Sequence, residues 1–103
     1  MTTTVLLLGL KASVVEEVRA GLDIPNLEIR SGTSIEDLRE TLAQLPVDHV
    51  VMGAGLDLEQ RLGIVREIFE TSDRTTVHMK DRASGPEGFL PFVQGVLGGL
   101  NRA

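Results

Sequence analysis

Residues 5–10, Val-Leu-Leu-Leu-Gly-Leu, form a short continuous apolar run, the pattern of a strand buried on both faces. Beyond it the period changes. Val14, Val15, Val18 and Leu22 fall on one side at helical spacing, while Glu16, Glu17 and Arg19 point elsewhere. Ser13 with Glu16 has capping-box spacing, Gly21 marks the helix end, and Pro25-Asn26 makes a turn. Leu27-Glu28-Ile29-Arg30 then alternates apolar and polar, as a strand less buried on one face does. Thr33 with Glu36 reads as a second capping box, opening a helix with the stripe Ile35, Leu38, Leu42 and Leu45 that stops at Pro46.

Val47 to Met52 is again an apolar strand, left through Gly53-Ala54-Gly55. Asp57 with Gln60 caps a third helix, on which Leu58, Leu62, Val65 and Phe69 make the expected core stripe. Thr75 to Lys80 alternates as a fourth strand, and a polar loop, 81–88, leads to a last helix over about 89–101. Strands alternating with helices over short connections predict a parallel sheet with right-handed crossovers. The first and third strands have the composition of central strands and the second and fourth that of edges, so the expected order is 2-1-3-4. Residues 1–103 are expected to form one α/β domain, a half-Rossmann or flavodoxin-like three-layer sandwich.

Composition narrows the chemistry. Of the 103 residues 42% are hydrophobic, yet only three are aromatic, all Phe, so the core is aliphatic. There is no cysteine, which removes disulfides, thiolate metal sites and cysteine nucleophiles. A net charge of −5 disfavours general attraction to nucleic acid or anionic membrane. No stretch reaches the ~18–20 apolar residues of a membrane span. The opening residues lack a basic segment and a small-residue cleavage site, so a cytoplasmic protein is expected.

In an open parallel sheet, ligands bind beyond the carboxyl ends of the strands where the winding reverses, here between the first and third strands. Lys11, Arg30, Gly53, Gly55, His78, Lys80, Asp81 and Arg82 are the candidate residues for that rim. Four of them are basic in an acidic protein, and helix N-termini point the same way, which suits a small anionic or phosphate-bearing ligand. Solvated loops with ordinary caps explain the same residues, and Asp57 already serves one of those helix starts.

Familiar motifs are incomplete. Gly53-Ala54-Gly55 begins like a dinucleotide fingerprint, but Leu58 stands where its third glycine belongs, and no GxxxxGK[ST] occurs. Arg30-Ser31 sits where a 2′-phosphate-recognising arginine is found in Rossmann units, without the accompanying glycine turn. His49 and His78 have no spaced carboxylate partner, so no metal and no cofactor is expected. With the third and fourth strands in register, the two histidines lie ~7 Å apart. His78 near Asp81 has the residue types of an acid–base pair, or of the exposed face of an edge strand. Ser13 and Ser84, which precede Glu16 and Glu87 at cap spacing, are read as caps; no G-x-S-x-G elbow is present.

After the strands come Leu10-Lys11, Gly53 to Leu56 ahead of Asp57, and Lys80-Asp81. The layout resembles, in outline and over about four fifths of the chain, the receiver domains of response regulators. That resemblance implies the sheet topology. It also implies that Mg²⁺-dependent phosphoryl transfer is lost, because the acidic pair, the acceptor aspartate and the hydroxyl and lysine positions are not matched.

The last helix has a broad apolar arc, Phe89, Leu90, Phe92, Val93, Val96, Leu97 and Leu100, opposite Pro91, Gly95, Gly98 and Gly99. Interior glycines cost roughly 0.5–1 kcal/mol each relative to Ala, so close approach by another backbone is one explanation and a frayed end the other. With Ile64 and Ile68 off the expected third-helix stripe, a homodimer through the third and fourth helices is expected. Two functions follow from these features: a non-enzymatic, receiver-shaped module working through protein contact, or a binder of, or enzyme on, a small anionic ligand.

Overall fold

The structure is a computed structural model that describes residues 2–100, with the side chain of Leu100 left out. Four strands, β1 (Thr3–Leu8), β2 (Leu27–Gly32), β3 (His49–Met52) and β4 (Thr76–Met79), alternate with helices α1 (Ala12–Gly21), α2 (Ile35–Gln44), α3 (Leu58–Thr71) and α4 (Phe89–Leu100). The sheet is entirely parallel, in the order β2-β1-β3-β4. Composition had indicated that order, and the reason is visible in the burial. Val5 to Leu8 and Val50 to Met52 are fully buried because β1 and β3 are covered on both faces.

Each face has its own core. Leu6, Leu8, Val50 and Met52 point toward α2 and α3 and pack with Leu38, Leu56, Ile64 and Ile68. Val5, Leu7 and Val51 point the other way and pack with Val15, Val18, Phe89, Val93 and Leu97 of α1 and α4. The result is a three-layer sandwich. None of the helices is long and apolar enough among the described residues to cross a membrane.

The third helix corrects an expectation. α3 carries two apolar stripes, and the sheet takes Ile64 and Ile68, which are 1% and 0% exposed. Leu58, Leu62 and Phe69, expected inside, are 59%, 50% and 59% exposed. Periodicity shows that a stripe exists; which of two stripes faces inward is settled by packing, where Ile64 and Ile68 join Leu56, Leu38, Val50 and Met52. Ile64 and Ile68 are therefore core residues and not interface residues.

The caps also differ in part. Asp57 and Gln60 form the expected reciprocal capping box. α2 is capped one residue later than expected: Ser34 accepts from the Asp37 N–H, and Asp37 in turn accepts from the Thr33 N–H. α1 has Lys11 at its N-cap with no side-chain cap, so Ser13 lies inside the helix. At Pro25-Asn26 the chain turns as expected, with Asn26 in the left-handed region at φ 63°. The glycine face of α4 is open: around Gly95, Gly98 and Gly99 nothing lies within 4 Å of an added Cβ. The expected helix end at residue 101 lies outside the described residues.

Candidate functional site

Two right-handed crossovers leave the sheet in opposite directions from β1 and β3, so their exits diverge and open a cleft at the strands' carboxyl ends. The cleft holds about 520 Å³ and is lined by Gly9, Leu10 and Lys11 after β1, by Gly53 to Gly55 after β3, and by Lys80 and Arg82 after β4. Val14 of α1, Gly85, Pro86 and Phe89 complete it. Its walls are mainly apolar, with three cationic side chains and no carboxylate, hydroxyl or imidazole among the lining residues. A second cleft of about 300 Å³ between the starts of α2 and α3 is lined by Glu36 and Glu59 and has no cation.

Of the three cations of the larger cleft, Lys80 is buried while Lys11 and Arg82 are exposed. Alternation suggested an exposed polar strand end, but Lys80 is only 2% exposed. The 3-10 turn Pro86–Gly88 that follows lies against the Lys80 side chain. An added Cβ at Gly88 would stand 3.2 Å from the Lys80 Cε. The Lys80 Nζ donates to the Asp81 carbonyl at 2.9 Å. No carboxylate forms a salt bridge with it among the described residues. An ammonium has three donors, and a buried charge is costly unless paired.

The start of α1 faces the same space. Val14 and Val15 donate to the Lys11 carbonyl, while the helix has no side-chain cap, which leaves the positive end of its dipole uncompensated beside the cleft. The glycines have a different explanation from close ligand approach. An added Cβ at Gly53 would stand 3.3 Å from the Phe89 ring, and one at Gly9 would stand 2.8 Å from Val15. At Gly55 it would meet Leu10 at 2.9 Å. They make room for Phe89, α1 and the β1 exit.

Of the candidate residues, the structure brings Lys11, Gly53, Gly55, Lys80 and Arg82 together. Arg30 is elsewhere: β2 continues to Gly32, which leaves Arg30 inside the strand, bonded to Glu28 at 3.0 Å. Asp81 does not line the cleft. Its carboxylate accepts from the Ser84 hydroxyl at 2.9 Å and the Ser84 N–H at 3.0 Å, bonds that hold its pKa below the ordinary value. Ser84 therefore closes a turn and does not cap a helix.

His78 is also outside the cleft. It shares the α1/α4 face of the sheet with His49, ring centroids 6.2 Å apart. Thr76 lies between the two imidazoles and bonds to both. Burial lowers the His49 pKa, with Asp48 opposing and His78 adding to the shift. The described residues contain no group of three His, Asp or Glu side chains suited to a metal.

Phe89, like Val14, lines the cleft although helical spacing alone puts it only on an apolar core stripe. Its position directly after Gly-Pro-Glu-Gly, at the point where a loop returns to the sheet, was the available signal. No protein-family model matches this chain, and comparisons with curated proteins and with solved structures find no significant match.

Proposed function

We propose that this domain binds a small anion with an apolar body, a phosphate ester or carboxylate, in the cleft at the carboxyl ends of β1 and β3. The observation that carries this reading is Lys80: its side chain is almost wholly covered, its ammonium has one backbone acceptor among the described residues, and no carboxylate lines the cleft it faces. An anion there completes its hydrogen bonds and offsets its desolvation. Lys11 and Arg82 flank the same space, and Leu10, Val14, Pro86 and Phe89 suit an apolar portion of the ligand.

Binding is favoured over catalysis because no lining side chain is a carboxylate, hydroxyl or imidazole. The flavodoxin-like description belongs to this proposal, since ligands of such sheets bind at the same switch point. So does a cytoplasmic setting, which suits a chain without cysteine. A protein-contact role is the second reading, favoured by the exposed apolar residues of α3.

A thermal-shift screen with nucleotides, sugar phosphates and dicarboxylates tests the binding site. A ligand at a hundredfold excess over its Kd stabilises by ~2.7 kcal/mol, a rise of about 10 °C or more for a domain of this size. Lys80→Met keeps the stem and removes the charge. It is expected to fold and to lose the ligand-induced rise, while Lys11→Ala and Arg82→Ala reduce it. A full rise in Lys80→Met, or no rise with any compound, overturns the proposal.

A further inference from the structure

The outer flank of α3 is apolar and uncovered. Leu58, Leu62 and Phe69 are at least half exposed, and Val65 between them is only partly buried against the core. Their spacing, 58-62-65-69, is the four-three-four pattern by which one helix packs along another. The opposite flank is occupied by α2, since Glu67 pairs with Arg39 at 2.9 Å and Gly63 lies against Ile35. The apolar stripe therefore looks away from α2, toward the open edge of the sheet.

That edge is β4. The N–H groups of Thr76 and Lys80 donate to Asp48 and Met52 on the β3 side. By alternation, the N–H and C=O groups of Val77 and Met79 point outward from the sheet. Met79, on the α3 face, is 47% exposed. Among the described residues, a strand edge without a neighbour and a helix flank without a neighbour thus lie side by side.

We infer that a second copy of this chain docks on this surface, about a twofold axis normal to the sheet. The axis sets β4 antiparallel to β4 of the second copy and α3 antiparallel to its α3, giving one continuous eight-stranded sheet. The layers are consistent: α3 packs Ile64 and Ile68 into the core layer that also takes Val50 of β3 and Val77 of β4, so pairing β4 with its copy puts both α3 helices on one face of the joined sheet. Leu58 then meets Phe69 of the second copy, with Leu62 and Val65 between.

The charges agree with the antiparallel arrangement. Glu59 and Arg66 flank the stripe on one side, so each Glu59 faces Arg66 of the other copy. The Arg66 side chain is 81% exposed and, among the described residues, pairs only within its own helix, with Glu70. The four exposed side chains offer on the order of 400 Å² of apolar surface. The strand edge and the stems of Arg66 and Glu59 bring this toward the ~800 Å² per partner of a stable interface. Self-complementarity of this kind selects a second copy over an unrelated partner. The inference rests on the α3–β4 surface and is independent of ligand binding in the cleft.

Sedimentation equilibrium through the micromolar range tests it. The wild-type chain is expected at twice the monomer mass. Leu62→Glu and Phe69→Glu, checked for folding by circular dichroism, are expected to raise the dimer Kd about thirtyfold or more. Glu59→Arg and Arg66→Glu each weaken the dimer, and the double reversal restores it. A wild-type monomer at high micromolar concentration overturns the inference. So does a dimer that tolerates both glutamate variants, or one that only substitutions at Gly95 and Gly98 disrupt. Ligand-induced stabilisation is expected to survive in Leu62→Glu, so failure of either proposal leaves the other standing.

Discussion

A lysine ammonium has three protons to donate, and Lys80 gives one to a carbonyl of its own loop while facing an apolar cleft. Residue type and position made Lys80 a candidate; its burial did not follow from them, because the covering residues come from the loop and turn that follow. The histidines illustrate the same point. Register placed His49 and His78 near each other, and the structure adds Thr76 as the group joining them. Because burial lowers the His49 pKa, the unfolded chain takes up a proton there more readily than the folded one. Stability from this site is full above pH ~6.5 and falls as the pH drops through the lowered folded value. Thermal melts are therefore expected to lose more stability between about pH 7.5 and about pH 5.5 in the wild type than in His49→Asn. An equal loss in both proteins would show that His49 is not the responsible group.

At the scale of elements, caps and stripes separate what spacing alone can indicate. The Asp57–Gln60 box was legible because the two residue types, their spacing and the following apolar pattern agree. Ser13–Glu16 has equal spacing, but α1 begins earlier, at Ala12, and no bond forms. Asp57→Ala is expected to cost about 1 kcal/mol in urea denaturation, and Ser13→Ala to remain within about 0.5 kcal/mol. The two stripes of α3 make a sharper comparison. Ile64→Ala opens space in the core and is expected to cost about 2–5 kcal/mol. Leu62→Ala, half exposed on the monomer, is expected to cost less than about 1 kcal/mol when measured at dilution sufficient to keep the chain monomeric. The reverse ranking would place the wrong stripe against the sheet.

Across the whole molecule, the sheet order places the two proposed surfaces at different boundaries. The cleft sits at the carboxyl-end rim between central strands, where diverging crossovers leave space. The self-association surface lies along the β4 edge, which α4 does not cover because it packs with α1 on the opposite layer.

Apolar patterning along the chain was enough for the class of fold, the strand order and the end of the sheet where a cleft opens. Continuous apolar runs must be covered on both faces, and short crossovers permit few ways of doing so. Residue order also supplied five of the cleft's residues, since these follow directly from strand exits. Packing between distant segments settled which α3 stripe is buried, that Arg30 lies within β2, that Asp81 turns to Ser84, and that Lys80 is covered. Each depends on how a loop or helix settles against neighbours distant in the chain, and local periodicity carries no information about that approach.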